Sequence, residues 1–163
     1  MAAALAIGIG SERGDDAAGF AVVRALAGRL PPGAAAAELH GDPTALLERW
    51  RGAAAVVLVD AVRGCGPAGS LHRFDASREP IPAPAGPGTH SLGFAAAIEL
   101  ARRLGELPER VVAIGIEGAE FALGDSLSAP VAAAIEPAAE AVLAELRAAE
   151  PVLRSAPEAV ERR

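Results

Sequence analysis

Short apolar runs alternate along this chain with longer stretches of helical periodicity, the pattern of a layered α/β domain. Residues 5–9 are apolar and end in Gly8-Ile9-Gly10, which predicts a first strand. After a turn at residues 11–14, Phe20, Val23, Ala27 and Leu30 recur at helical spacing, and Pro31-Pro32-Gly33 stops that helix. A weaker strand follows at 35–39, then a short helix at 44–50 with Leu46, Leu47 and Trp50 on one side. Val56-Val57-Leu58-Val59 is the strongest strand signal, β-branched and apolar on both faces as a central parallel strand should be.

The run at 70–74 follows after only a Gly/Pro-rich loop, Gly64-Cys65-Gly66-Pro67. A parallel return needs a dozen or more connecting residues, so this strand must run antiparallel. Four prolines between Glu79 and Gly88 mark an extended irregular loop, and Thr89 is placed to cap the next helix. Ala97, Leu100, Ala101 and Leu104 give that helix an apolar stripe that Gly105 ends. A last strand is expected at 111–116. Ile135, Ala138, Ala139, Val142 and Leu146 define a closing helix, with Pro137 expected to bend it. The expected architecture is a three-layer α/β domain over residues 1–150. Its mostly parallel five-stranded sheet has one antiparallel edge strand and helices on both faces. Residues 151–163 read as a flexible tail.

Composition narrows the function. At 163 residues the chain fits one domain with a well-buried core, and although 52% of residues are hydrophobic, no run approaches the roughly 20 apolar residues of a membrane span. No basic segment precedes the first apolar residues, so no signal peptide is expected and the cytoplasm is the expected location. A formal net charge of −6 with 3% aromatics argues against nucleic acid as a partner. Cys65 is the only cysteine, which rules out an internal disulfide and a thiolate metal cluster, and it reads as a small turn residue.

Ligand sites of parallel sheets gather at the C-terminal ends of the strands, where the winding direction reverses. Asp15 and Asp16 follow the first strand, Asp60 ends the strongest one, and His90 opens the helix before the last. One of the adjacent acids has the plain role of a helix cap, assigned here to Asp15. Asp16, Asp60 and His90 then form a mixed O/O/N set suited to a divalent ion such as Ni²⁺ or Zn²⁺, with coordination positions left open. Gly8-Ile9-Gly10 superficially suggests a nucleotide loop, but Arg13 stands where GxGxxG needs glycine, and two acids at a helix start repel phosphate.

Taken in order, Ile7-Gly-Ile-Gly10, Gly14-Asp-Asp16 with Gly19, Val59-Asp-Ala61, His90-Ser-Leu-Gly93 and Ile114-Gly-Ile-Glu117 resemble the [NiFe]-hydrogenase maturation endopeptidases. The resemblance runs from about Leu5 to Leu146. It implies an endopeptidase that removes a short C-terminal extension from a hydrogenase large-subunit precursor after nickel insertion. Positions matching Asp16, Asp60 and His90 would bind the metal, with the nickel supplied by the substrate. The chain departs from the family at Ser11 (usually Asn), at Ala17 (usually Gly), and in a loop one residue short before Asp15. His40-Gly-Asp-Pro-Thr44 replaces a typical Asp-Gly-Gly-Thr, so His40 bears on specificity or is simply a strand-end residue. His72 reads as a surface residue of the edge strand. Two rival expectations remain: a non-catalytic docking or accessory protein in hydrogenase assembly, and a hydrolase holding its own Zn²⁺ or another divalent metal.

Overall fold

A computed structural model describes residues 3–81, 93–121, 124 and 126–149. Five strands, β1 (Ala4–Ile9), β2 (Ala34–Leu39), β3 (Ala55–Val62), β4 (Leu71–Asp75) and β5 (Arg110–Glu117), form one sheet in the order β2-β1-β3-β5-β4. All neighbours pair in parallel except β4, which runs antiparallel along β5 at the sheet edge, as its short Gly/Pro connection requires. Helices α1 (Ala18–Ala25) and α4 (Ala129–Ala148) pack on one face, and α2 (Pro43–Trp50) and α3 (Gly93–Leu104) on the other. Two apolar layers result. Ala4, Ala6, Val57, Val59, Ile114 and Ile116 meet α1 and α4, while Leu5, Ile7, Val56, Leu58, Val111 and Ala113 meet α2 and α3.

Several boundaries differ from the sequence expectation, each for a local reason. Helix α1 stops at Ala25 rather than running to the prolines, because the chain turns into Gly28 at φ +73°. Strand β3 continues past Val59 to Val62, so Asp60 lies within the strand instead of ending it. Asp42 caps α2 by accepting from the Thr44 N–H at 2.8 Å, with Pro43 in the first turn. Helix α4 runs unbroken through Pro137. Thr89, most of the proline-rich loop and the expected tail from 151 lie outside the described residues. Among those described, no helix is long and apolar enough to cross a membrane.

From β1 the chain passes through α1 to β2 on one side, then crosses through α2 to β3 on the other, so the winding reverses between β1 and β3. Two glycines let α1 lie directly on these strands. A Cβ on Gly19 would sit 2.4 Å from the Ile9 carbonyl oxygen and 2.6 Å from that of Val59, and one on Gly8 would sit 2.3 Å from the Gly19 carbonyl. The short 3₁₀ turn Gly14–Ala17 between β1 and α1 is set by this contact and by Asp15.

Asp15 corrects the sequence expectation. Neither the 3₁₀ turn nor α1 has a side-chain cap. Instead the fully buried Asp15 carboxylate holds the segment between β5 and α4. Its Oδ2 accepts from Ala119 N at 2.7 Å, Glu120 N at 2.8 Å and the Ser128 hydroxyl at 2.8 Å, and its Oδ1 accepts from Ser128 N at 2.7 Å. Burial pushes this carboxyl up. The N–H groups of Glu120, Ser128 and Ala119 and the Ser128 hydroxyl more than offset that, holding it below the ordinary carboxylate range.

Two stability predictions follow from these contacts. Gly19→Ala gains about 1 kcal/mol of helix propensity but must displace two backbone carbonyls, so a net loss of about 2 kcal/mol is expected in urea unfolding. Asp15→Asn turns an amide NH₂ toward backbone donors and is expected to lose about 3 kcal/mol. Because the folded-state pKa of Asp15 is depressed, its contribution is complete above the unfolded value and disappears as acid takes the pH below about 4. Unfolding curves across that range should fall more steeply for the wild type than for Asp15→Asn.

Candidate functional site

The end of β1 turns sharply at Gly10, whose φ is +151°. The turn folds the chain back so that Ser11 N donates to the Asp16 carbonyl at 3.3 Å and Asp16 N donates to the Arg13 carbonyl at 3.0 Å. A Cβ on Gly10 would lie 2.0 Å from the Asp16 carbonyl oxygen and 3.9 Å from Asp16 Cγ. Glycine is therefore required here to bring Asp16 to the tip of β1, where it is partly exposed.

Asp60 lies one strand away. Gly8 pairs with Val59, and Ile9 and Asp60 are the next residues of β1 and β3. On its other side Asp60 is level with Gly115 of β5. Alternation along β3 places Asp60 on the α2/α3 face, beside Val56, Leu58 and Val62, and it is 6% exposed. Asp16 thus follows the end of β1 and Asp60 lies in the neighbouring strand β3, on the two strands between which the winding reverses. His90 lies outside the described residues, three positions before α3, which covers the face that carries Asp60. Among the described residues no group of three His, Cys, Asp or Glu is placed to hold a metal ion. Two oxygen donors of the expected O/O/N set stand at this edge, a chemistry that attracts a cation and repels an anion.

His40 reaches the same edge from β2. Its Nδ1 is 3.1 Å from the Gly10 carbonyl oxygen, and its ring meets Phe20 edge to face at 5.5 Å. A carbonyl only accepts, so Nδ1 carries the proton and Nε2 keeps its lone pair in the neutral ring. Arg24 spans Glu12 at 2.5 Å and Glu38 at 2.7 Å, tying the turn after β1 to β2.

Beyond β3 and β5 a second cluster shapes the rim. The buried Glu117 carboxylate accepts from Gly64 N at 2.7 Å and Cys65 N at 3.0 Å, so it holds the glycine-rich loop. The sequence showed Glu117 only as a motif member, since nothing local links it to a loop more than 50 residues away. Cys65 is exposed, and burial of its sulfur together with the Glu117 charge pushes its thiol up, away from a thiolate nucleophile. His72 is half-buried rather than a plain surface residue, with Nε2 3.1 Å from Ser70 Oγ. Ser70 spends its hydroxyl proton on the Pro67 carbonyl at 2.6 Å, so its oxygen accepts from His72. That polarity is the reverse of a serine nucleophile and its base. Arg63 lies over the Phe121 ring at 4.1 Å from its centroid, a contact no sequence spacing announced.

Comparison with known proteins places this fold. Solved structures share the fold over most of the chain. The hydrogenase maturating endopeptidase HybD from E. coli is 25% identical, with TM-score 0.75 over 90% of this chain and 93% of its own. A solution structure of an E. coli endopeptidase is 27% identical, with TM-score 0.78 over 90% and 93%. The hydrogenase 2 maturation peptidase of Thaumarchaeota archaeon SCGC_AB-539-E09 is 27% identical, with TM-score 0.64 over 88% and 97%. No curated protein matches the chain by sequence. The family model for hydrogenase maturation proteases matches residues 41–145, from the turn after β2 into α4. With that match over most of its length, the chain belongs to the hydrogenase maturation protease family, a family of peptidases.

Proposed function

We propose that this protein is the endopeptidase that removes the C-terminal extension of a [NiFe]-hydrogenase large-subunit precursor once nickel is in place, recognising that nickel through Asp16, Asp60 and His90. The observation that carries this reading is the placement of Asp16 just after β1 and of Asp60 in β3, the neighbouring strands between which the winding reverses. Two carboxylates on adjacent strands, one just past β1 and one within β3, attract a divalent cation. A neutral imidazole from the segment leading into α3 completes a three-donor set that leaves positions for the substrate's own groups. In this reading the metal is cargo of the precursor. Bound beside the scissile peptide, it would supply Lewis-acid polarisation of a carbonyl or a water. Asp16 and Asp60 orient the cut site by holding that cargo, and the rigid Gly10 turn keeps the first of them in place. The Cys65 and Ser70 environments supply no nucleophile, which favours attack by water over an acyl-enzyme route.

Processing of a nickel-loaded large-subunit precursor, followed by the size of the subunit on gels, tests the assignment. Asp16→Ala and His90→Ala should each slow cleavage by about a hundredfold or more while leaving the folded state intact. Undiminished cleavage in either variant would overturn that residue's role. The source of the metal is tested separately. Protein purified without precursor should carry well under one divalent ion per chain, whereas a tightly held stoichiometric ion would favour a resident zinc or other metal instead.

A further inference from the structure

Arg63 stands three residues beyond Asp60, just past the end of β3, and is exposed. Its guanidinium lies over Phe121 at 4.1 Å from the ring centroid. Among the described residues Arg63 makes no ion pair, as is true of Arg13, Arg49, Arg78, Arg103 and Arg147, but unlike those five it lies over an aromatic ring. A guanidinium lying on a ring face keeps its in-plane N–H fork turned outward, the geometry that receives a carboxylate on two parallel hydrogen bonds.

The platform is anchored. Phe121 packs its ring edge against Gly118, where a Cβ would lie 2.3 Å from Cζ. Gly118 N donates to the Val62 carbonyl at 2.9 Å, next to Arg63 in the chain. On the other side Ala119 and Glu120 are held by the buried Asp15 carboxylate, and a Cβ on Gly14 would lie 3.7 Å from the Phe121 carbonyl carbon. One set of contacts therefore fixes the Arg63 platform relative to the turn that carries Asp16. An exposed arginine ordinarily loses much side-chain freedom when it binds; here part of that ordering is already made.

We infer that Arg63, stacked on Phe121, is a substrate-binding residue that receives a carboxylate of the precursor's C-terminal tail. This rests on the function proposed above and adds a specificity element to the same site. Three residues of extended strand span about 10 Å, and so do three residues of an extended substrate. The carboxylate recognised is therefore on the order of 10 Å from Asp60. A C-terminal extension supplies such a charge as an acidic side chain or as its own terminal carboxylate, ionised at neutral pH. The surrounding acids Asp16, Asp60 and Glu117 favour cations, so Arg63 marks where along the edge an anion is accepted.

The test compares wild type, Arg63→Gln, Arg63→Lys and Phe121→Leu against a nickel-loaded precursor. It reads KM and kcat for processing and, independently of cleavage, Kd by fluorescence anisotropy of a labelled precursor. Arg63→Gln should raise both KM and Kd about tenfold with kcat within about twofold of wild type, Arg63→Lys should recover part of the loss, and Phe121→Leu should fall between. The wild-type advantage should shrink as salt is raised. Neutralising the tail's acidic side chains, or adding three neutral residues to displace its terminus, should abolish the difference between wild type and Arg63→Gln in one arm and so name the source. Equal Kd and KM for wild type and Arg63→Gln would overturn the inference, as would a persistent difference in both tail arms. If wild type binds the precursor without cutting it, the proposed activity fails while the Kd comparison still decides Arg63; if it does not bind at all, both fail.

Discussion

The arrangement of this molecule's functional edge depends on one buried carboxylate. Asp15, without exposed surface, spends both oxygens on four donors from the segment between β5 and α4. A desolvated charge is costly unless it is fully hydrogen-bonded, and this one is, so the contact resists partial loosening. Its neighbour Asp16 is thereby held at the tip of β1, and Phe121 is held where Arg63 can lie on it. The close seating of α1 on β1 and β3 through Gly8 and Gly19 completes the frame from below.

This division of labour between adjacent acids is a consequence of burial. Asp15 is buried and its oxygens are taken by backbone donors and the Ser128 hydroxyl; Asp16, next in the chain, is partly exposed in the turn after β1. The same logic separates the two glutamates nearby. Glu117 is buried and holds the glycine-rich loop after β3, while Glu12 is exposed and pairs with Arg24 to steady the turn after β1.

Much of this was legible in the chain. Hydrophobic patterning located all five strands, and the short Gly/Pro connection before Leu71 determined that β4 is antiparallel, because no parallel crossover fits in so few residues. That Asp16 follows β1 and that Asp60 belongs to the neighbouring strand β3 could be reasoned from topology, although β3 runs on past Asp60 to Val62. The partners of Asp15 and Glu117 could not, because each bonds backbone N–H groups 52 or more residues distant, and a backbone donor has no sequence signature. The stacking of Arg63 on Phe121 was hidden because the two side chains come from loops far apart in the chain. The end of α1 differs from the sequence expectation because the chain leaves the helix toward Gly28, in a left-handed conformation, before it reaches the prolines.

The central claim is that two carboxylates and one imidazole converge on a substrate-borne nickel ion. Anomalous diffraction at the nickel edge, from crystals of the protein soaked with Ni²⁺ or grown with its precursor, reads that directly. The account predicts one strong peak about 2 Å from the Asp16 and Asp60 oxygens and a His90 ring nitrogen. A peak elsewhere, or His90 found on the opposite side of the sheet from the two acids, would contradict it.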